Sequence, residues 1–297
     1  MDEILNLENT YQYNTLRGVE TFHPLVSVID LSKTKQIQNG KIHFGFYCVF
    51  LKEIKCGDLK YGCNYYDYQE GTLVFVAPGQ ILGVNNKENV QPKGWALLFH
   101  PDLIRGTSLG HNIKDYTFFS YEINEALHLS DKERQIVLDC LNKIDYELKH
   151  AIDKHSKTLI ANNIELLLNY CMRFYDRQFI TRNHVNKDIL VKFERLLTDY
   201  FQSEKPQNLG LPTVKYCADY IHLSPNYLGD LIKKETGKSA QEHIQLKLMD
   251  IAKEKVFDTS KTLSEIAYEL GFKHPQHFSR MFKNETGYTP NEYRLLN

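Results

Sequence analysis

The sequence lacks any run of 18 apolar residues, so it predicts no membrane-spanning helix. Its opening stretch, MDEILNLENTYQYNTL, also lacks the basic and then apolar layout of a secretory signal. We therefore expect a cytoplasmic protein without a membrane partner.

Cysteine is scarce, and no two cysteines have the C-x-x-C spacing of a zinc or redox site. The six positions are Cys48, Cys56, Cys63, Cys140, Cys171 and Cys217. Scattered single cysteines favour reduced, buried thiols over a disulfide framework. No metal and no cofactor are expected from this pattern.

A surplus of positive charge is also missing, since 36 Lys and Arg residues face 37 Asp and Glu residues, for a formal net charge of −1. Proteins that bind nucleic acid contact its phosphates with Lys and Arg. Any nucleic-acid surface in this chain must therefore come from the placement of basic residues, because they do not outnumber the acidic residues.

Short β-rich segments occupy residues 22 to 99, punctuated by Gly, Pro and Asn at intervals that are typical of an antiparallel sandwich or barrel. In KIHFGFYCVFL the period-2 pattern puts Phe44, Phe46, Cys48 and Phe50 on one face, and Tyr47 with Val49 on the other. Both faces are apolar, which predicts a strand that is covered on both sides.

Helical patterns follow. Ser130 and Glu133 form a capping-box signal before one amphipathic helix, and a second helix is predicted near 159–179. We expect these helices to pack on the sheets, and a dimer seam between them stays open. A polar segment is predicted as a linker at 181–187. Further helices are predicted near 188–204, 213–220, 224–236, 240–257, 262–270, 274–286 and 290–296.

An internal repeat dominates the last hundred residues. SPNYLGDLIKKETG, residues 224–237, aligns without a gap on HPQHFSRMFKNETG, residues 274–287, at an offset of 50. The upstream segments YCADYIHL and IAYELGFK are aligned at the same offset. Each copy predicts a short helix, a tight turn, and a second helix with Pro near its start and Gly after its end. This is a helix-turn-helix that occurs twice.

The second helix of each copy has one apolar stripe, containing Tyr227, Leu228, Leu231 and Ile232 and, equivalently, His277, Phe278, Met281 and Phe282. The opposite face carries amide, hydroxyl and basic groups, which read base edges and contact phosphates. The helix between the copies, about 18 residues or ~27 Å long, can hold two such helices near one duplex turn, ~34 Å, apart.

These residues resemble the AraC/XylS family of bacterial transcription regulators, through LSPNYLGDLIKKETGKS, AKEKVFDTSKTLSEIAYELGF and FSRMFKNETGYTPNEYR. The resemblance implies sequence-specific binding to double-stranded promoter DNA. It leaves open a homodimer and a contact with RNA polymerase. The DNA-binding residues it implies are Asn226, Gly229, Asp230, Lys233, Lys234, His274, Gln276, His277, Ser279, Arg280 and Lys283.

Three of these residues raise specific questions. Asp230 is repelled by phosphate, although it could accept a hydrogen bond from a cytosine amine. We predict that the second motif contributes more affinity than the first. His274 and His277 lack the third ligand that a metal site needs. For His277 burial in the core remains an alternative, since its counterpart is Tyr227. For His274, which aligns with Ser224, helix capping or a phosphate contact is expected.

The N-terminal half resembles the cupin-like effector domain of the same family, through EGTLVFVAPGQILG and GWALLFHPDLI. The predicted fold class is α+β: a cupin-like antiparallel β-barrel with two appended helices over 1–180, then an all-α domain of two helix-turn-helix subdomains joined by a linker helix over 188–297. Leu82 stands where a metal-binding cupin usually has His, so a metal-dependent enzyme is not expected.

Aromatic residues are candidates for an effector pocket in that barrel, although they could equally form its core. They are Phe44, Phe46, Tyr47, Tyr65 and Trp95. Two functions stay open at this point: a regulator controlled by a small-molecule effector, and a DNA-binding regulator whose barrel serves only dimerisation or protein contacts. We find no nucleophile with its base and no phosphate loop, so no enzyme is predicted.

Overall fold

The structure, a computed structural model, describes residues 4–37, 40–53, 71–84, 92–122, 125–150, 153–181 and 183–295. The chain divides into two compact units, Met1–Thr181 and Arg182–Asn297, here called the N-terminal and C-terminal units. None of the helices in the described ranges is both long enough and apolar enough to cross a membrane.

The N-terminal unit combines eight described strands with five helices. The strands are β1 (Ile4–Leu7), β2 (Val26–Asp30), β3 (Gly40–Phe44), β4 (Tyr47–Lys52), β5 (Thr72–Val76), β6 (Ile81–Val84), β7 (Gly94–Phe99) and β8 (Leu127–His128). The helices are α1 (Thr10–Arg17), α2 (Pro101–Ile104), α3 (Ser108–Asn112), α4 (Asp131–Lys149) and α5 (Ser156–Thr181).

The described strands form two sheets, in the orders β1-β3-β6 and β2-β7-β4-β5-β8. They are not joined into one closed barrel within the described residues. Among the described strands, every pair is antiparallel except β1 with β3, which is parallel and departs from the antiparallel expectation. The first unit is therefore a two-sheet, cupin-like sandwich.

The run KIHFGFYCVFL is two strands rather than the predicted single strand, because the chain passes from one sheet to the other at Gly45. There the backbone comes so close to β1 that a Cβ on Gly45 would lie 3.1 Å from the Glu8 backbone. Phe44, Phe46 and Phe50 nevertheless share one core, since both strands face the space between the sheets. As predicted, β4 is covered on both faces.

The opposite face of the larger sheet is covered by helices. The predicted capping box is present at the start of α4: Ser130 Oγ accepts from the Glu133 amide, and the Ser130 amide donates to Glu133 Oε2 at 2.9 Å. Four buried α4 residues at helical spacing, Val137, Cys140, Leu141 and Ile144, form its apolar stripe, and α4 packs against α5.

The C-terminal unit contains only helices in its described residues. They are α6 (Asn183–Gln202), α7 (Lys205–Leu209), α8 (Val214–Ile221), α9 (Pro225–Thr236), α10 (Ala240–Val256), α11 (Leu263–Glu269), α12 (Pro275–Thr286) and α13 (Pro290–Leu295). Two differences from the sequence prediction stand out: α6 begins at Asn183, inside the segment predicted as a linker, and the short α7 was not predicted at all.

Two long helices give this unit its frame. Helix α6 contacts α7, α8, α9 and α10, and α10 contacts α9, α11, α12 and α13. Tyr200 and Phe201 of α6 belong to the same core as Phe278 and Phe282 of α12. The helices of the first and second helix-turn-helix therefore share a common scaffold.

Candidate nucleic-acid interface

Two helix pairs, α8 with α9 and α11 with α12, begin in the same way. Thr213 Oγ1 accepts from the Tyr216 amide at 3.1 Å at the start of α8, and Thr262 Oγ1 accepts from the Glu265 amide at 3.2 Å at the start of α11. Such side-chain caps satisfy amides that have no partner inside the helix. The two threonines are 49 residues apart.

The turns show why this offset is 49 and not 50. His222 ends α8 in the left-handed region with φ 62°, and Gly271 follows α11 with φ 92°. The next amides close equivalent bonds, from Leu223 to Ala218 O at 3.0 Å and from Phe272 to Ala267 O at 2.9 Å. Since both second helices keep the offset of 50, the second turn contains one residue more. The predicted gap-free alignment of the upstream segments is therefore wrong.

The second helices, α9 and α12, end identically. Gly237 and Gly287 are left-handed, and their amides donate to Lys233 O at 2.9 Å and to Lys283 O at 2.8 Å. The repeat then continues into the following helix. Capping boxes pair Ser239 with Glu242 and Thr289 with Glu292, each with a 2.7 Å bond to the glutamate.

The starts of α9 and α12 differ. Ser224 is buried, and its Oγ accepts from the Tyr227 amide at 3.2 Å. His274 holds the corresponding position before α12 but is exposed and makes no capping hydrogen bond. The capping role considered for His274 is therefore wrong, and the extra residue in the second turn accompanies this change.

His277 is also exposed, whereas its counterpart Tyr227 is only 4% exposed. The core alternative for His277 is thus wrong, and the stripe of α12 is carried by Phe278 and Phe282. The rings of His274 and His277 lie 5.4 Å apart at a steep angle, on the surface. In the described residues no cluster of His, Cys, Asp and Glu is suited to a metal ion.

The outer face of α12 presents four exposed polar side chains: Gln276, His277, Arg280 and Lys283. Ser279 is half-buried, and its hydroxyl donates to Pro275 O at 3.2 Å, so its proton is already used within the helix. Only the lone pairs of the Ser279 oxygen remain for a further contact.

The corresponding face of α9 is sparser. Asn226, Lys233 and Lys234 are exposed, while Gly229 and Asp230 are half-buried. A Cβ placed on Gly229 would meet no atom within 4 Å, which leaves open space above the middle of this face. At the offset of 50, Gly229 corresponds to Ser279 and Asp230 to Arg280, so the charge at this position is reversed between the copies.

Charged contacts fix the second helix pair to α10. Lys255 Nζ and Lys261 Nζ lie 2.7 Å and 2.5 Å from the two oxygens of Glu269, and these bonds hold the pKa of that carboxyl below its ordinary value. Arg294 of α13 donates to Val256 O at 2.6 Å and to two further carbonyls of the following turn. The end of α10 is thereby bound to both α11 and α13.

The candidate effector residues of the N-terminal unit do not meet in one place. Phe44 and Phe46 are fully buried between the sheets, with their rings 5.7 Å apart. Tyr47 lies on the other face of β4, stacked on Phe99 at 5.0 Å. Trp95 is half-buried and shares that face by strand alternation. Tyr65 lies outside the described residues.

Comparison with known proteins adds independent findings. A family model described as a helix-turn-helix domain matches residues 217–295, from α8 into α13. The HTH-type transcriptional regulator YobQ of Bacillus subtilis is 23% identical over 257 residues, which are 82% of this chain and 95% of YobQ. The transposon Tn10 TetD protein of Escherichia coli is 34% identical over 144 residues, 48% of this chain and 91% of TetD.

A longer relative matches in part. The transcriptional regulatory protein YesN of Bacillus subtilis is 35% identical over 111 residues, which are 36% of this chain but only 28% of YesN. The chain thus spans nearly all of YobQ and TetD and little more than a quarter of YesN. The region that matches the family model contains α9, α10, α11 and α12 in full, and α8 from Cys217 onward.

Proposed function

The chain belongs to the AraC/XylS family of bacterial transcription regulators, and from this premise we propose that α9 and α12 are its two recognition helices in promoter DNA. The observation that carries the proposal is their shared construction. In both helices one stripe is buried in the core of the unit while the opposite face presents amide and basic side chains to solvent. An exposed polar helix face of this kind fits the major groove.

Each side chain has a role that follows from its chemistry. Arg280 can donate two parallel bonds to the O6 and N7 atoms of guanine, and Gln276 can pair with adenine. Lys233 and Lys283, at the last turns of their helices, suit phosphate, which positions the protein without reading sequence. Lys234, His274 and His277 lie exposed at the ends of the two faces and add donors there.

Helix α10 supplies the spacing. It contains 17 residues and is therefore about 26 Å long at ~1.5 Å per residue. With the turns at its two ends, this length suits recognition helices that enter successive major grooves, ~34 Å apart, on one side of the duplex.

We propose that the second motif contributes more of the affinity. Arg280 of α12 faces the duplex where α9 has Asp230, and the open space above Gly229 removes a contact that Ser279 can make through its oxygen. Since phosphate repels carboxylate, α9 gains less from the polyanion than α12 does.

We further propose that the N-terminal unit takes a small-molecule effector and that homodimer or RNA polymerase contacts transmit the regulation. A two-sheet sandwich with a core rich in aromatic residues supports the effector. In the alternative, this unit serves only dimerisation. A thermal-shift screen of metabolites distinguishes the two, because an effector raises the melting temperature and a pure dimerisation module responds to none.

The experiment for the DNA interface is a binding-site selection from random duplexes with the full chain, followed by gel-shift titration. Arg280→Ala should cost ~1–3 kcal/mol of specific binding. Arg195→Ala is the matched control, because Arg195 is an equally charged, 83% exposed residue that belongs to α6 and to neither recognition helix. Equal affinities of the Arg280→Ala and Arg195→Ala variants for the selected duplex would contradict the proposal.

Lys233→Ala tests the phosphate role in the same titration. It should weaken binding to selected and unrelated duplexes alike and lower the slope of log affinity against log salt by ~1. If the loss is confined to the selected sequence, then Lys233 reads a base and the assignment to phosphate is wrong.

A further inference from the structure

Arg17, the last residue of α1, is a buried cation that has no acidic partner among the described residues. Only 8% of its surface is exposed. Its Nε donates to Tyr13 Oη at 3.2 Å and its Nη1 to Lys35 O at 3.1 Å. A guanidinium has five N–H donors, and burying one without a carboxylate is costly. In the described part of the chain, Nη2 makes no hydrogen bond.

The position of Arg17 places this charge beside the core of the sandwich. Its guanidinium carbon lies 5.5 Å from the centre of the Tyr13 ring. That ring is 1% exposed and lies 6.2 Å and 6.3 Å from the rings of Phe44 and Phe50. Burial raises the pKa of Tyr13, while the charge of Arg17 opposes the rise. Arg17 therefore lies directly beside the aromatic core of the sandwich.

A buried atom without a hydrogen-bond partner among the described residues lies on the same face of α1, in the residue three positions before Arg17. Asn14 is fully buried, and its Nδ2 donates to Thr21 Oγ1 at 2.9 Å. Its Oδ1 is buried without a hydrogen-bond partner in the described residues. Since buried polar atoms are rarely left unpaired, such an atom calls for a donor. One face of α1 thus holds an unused donor group and an unused acceptor.

We propose that Arg17 is the anchor for the carboxylate of a small organic acid, which is the effector of the N-terminal unit. The proposal rests on the effector function proposed above and names the chemical class of the ligand. A single buried cation matches a monoanion, and the planar guanidinium matches the two oxygens of a carboxylate. A hydroxyl or N–H group of the acid would donate to Asn14 Oδ1, while its apolar part would lie against Tyr13.

The experiment measures thermal shift and calorimetric binding on the full chain with a series of hydroxylated monocarboxylates, including 3-hydroxybutyrate and mandelate. 3-Hydroxybutyramide and mandelamide serve as neutral counterparts, and inorganic phosphate serves as a second anion. At least one acid should raise the melting temperature in a concentration-dependent way, and its amide should not. Phosphate should act more weakly, because it is dianionic and tetrahedral.

Two variants assign the effect. Arg17→Lys keeps the charge but loses the planar fork, and it should weaken the binding of the acid by about tenfold to a hundredfold. Arg105→Lys is the matched control, because Arg105 is 81% exposed in the same unit. If Arg17→Lys alters folding, then Tyr13→Phe, which removes only the hydroxyl that accepts from Arg17 Nε, should still reduce affinity.

The outcomes separate the two proposals. If no acid in the series shifts the melting temperature, or if Arg17→Lys and Arg105→Lys bind it equally well, Arg17 is not the anchor. If a neutral metabolite stabilises the chain and no acid does, the N-terminal unit still binds an effector, but the proposal that Arg17 anchors a carboxylate is wrong. Binding of the selected DNA duplex by the Arg17→Lys chain without ligand shows that the C-terminal unit is intact in each case.

Discussion

His222 and Gly271 hold the same position in the two turns of the C-terminal unit, both in the left-handed region, although one has a side chain and the other has none. At the second position, glycine is required by more than the positive φ, because there is no room for a side chain. A Cβ on Gly271 would lie 2.8 Å from Pro206 O and 2.9 Å from the carbonyl carbon of Gly210. The second turn is thus packed against the backbone around α7, whereas His222 is exposed.

Substitutions at these turns should therefore have opposite effects. His222→Gly should raise the free energy of unfolding by up to ~1 kcal/mol, because it relieves a left-handed strain of ~1–2 kcal/mol at some entropic cost. Gly271→Ala should lower it by about 2 kcal/mol or more, because strain and a clash with backbone add. Urea unfolding followed by circular dichroism measures both.

Gly237→Ala is the control for the glycine substitution. Gly237 is also left-handed, with φ 76°, but a Cβ there would meet no atom within 4 Å. The Gly237→Ala substitution should lower the free energy of unfolding by only ~1 kcal/mol, because it adds backbone strain and no clash. If Gly237→Ala and Gly271→Ala are equally destabilising, the close approach to Gly210 has no energetic importance.

The starts of α9 and α12 give a second prediction. Ser224→Ala should destabilise the chain by ~1 kcal/mol, because it removes the bond to the Tyr227 amide. His274→Ala should change stability by less than ~0.5 kcal/mol, because no capping bond is lost. Thermal unfolding of both variants without DNA measures this. A His274→Ala loss as large as that of Ser224→Ala would show that His274 caps the helix in solution.

Asn226 and Gln276 offer a matched comparison of the two recognition helices. Both are exposed amides at the second residue of their helix, and they correspond at the offset of 50. We expect Gln276→Ala to cost ~1–3 kcal/mol of specific affinity and Asn226→Ala less than ~1 kcal/mol, since α12 makes the stronger contacts. Gel-shift titration on the selected duplex compares them. A larger loss for Asn226→Ala would reverse the proposed division of affinity.

Glu269 predicts a specific response to acid. Its bonds to Lys255 and Lys261 lower its pKa in the folded chain below the ordinary value of 4.5. A lowered folded pKa gives stability that is present above pH ~5 and is lost as pH falls through the folded pKa. Glu269→Gln should therefore be less stable by ~1 kcal/mol at neutral pH, with solvent screening included.

The pH profile distinguishes this origin from general damage. The difference in unfolding free energy between Glu269→Gln and the natural chain should shrink as pH falls below ~5, because the natural carboxyl then becomes protonated as well. Urea titrations at a series of pH values measure it. A difference that stays constant down to the acid limit would mean that the ion pairs do not contribute.

The sequence predicted those features that local chemistry determines. The capping box of α4 follows from Ser130 and Glu133 alone, and the Pro and Gly residues at the ends of α9 and α12 define both helices. The buried stripe was also predicted, apart from His277. Histidine occurs both in cores and on surfaces, so the position of His277 in the helical repeat does not show that it is buried.

Long-range geometry was harder to predict. The extra residue of the second turn was missed because His222 is an unusual left-handed residue, and no glycine marks where α8 ends. The sequence predicts one strand around Gly45 where the structure has two, because the period-2 alternation continues across the step between the sheets. The parallel pairing of β1 with β3 and the position of α7 depend on partners that are distant in the chain.

The most direct test of the two-helix account is methylation interference on the selected duplex bound to the full chain. Two clusters of guanines at which major-groove methylation blocks binding should occur about 10 base pairs apart on the same side of the duplex, and Arg280→Ala should weaken or erase the one beneath α12. A single cluster, or two clusters that both persist in the Arg280→Ala variant, would contradict the insertion of α9 and α12 into successive major grooves.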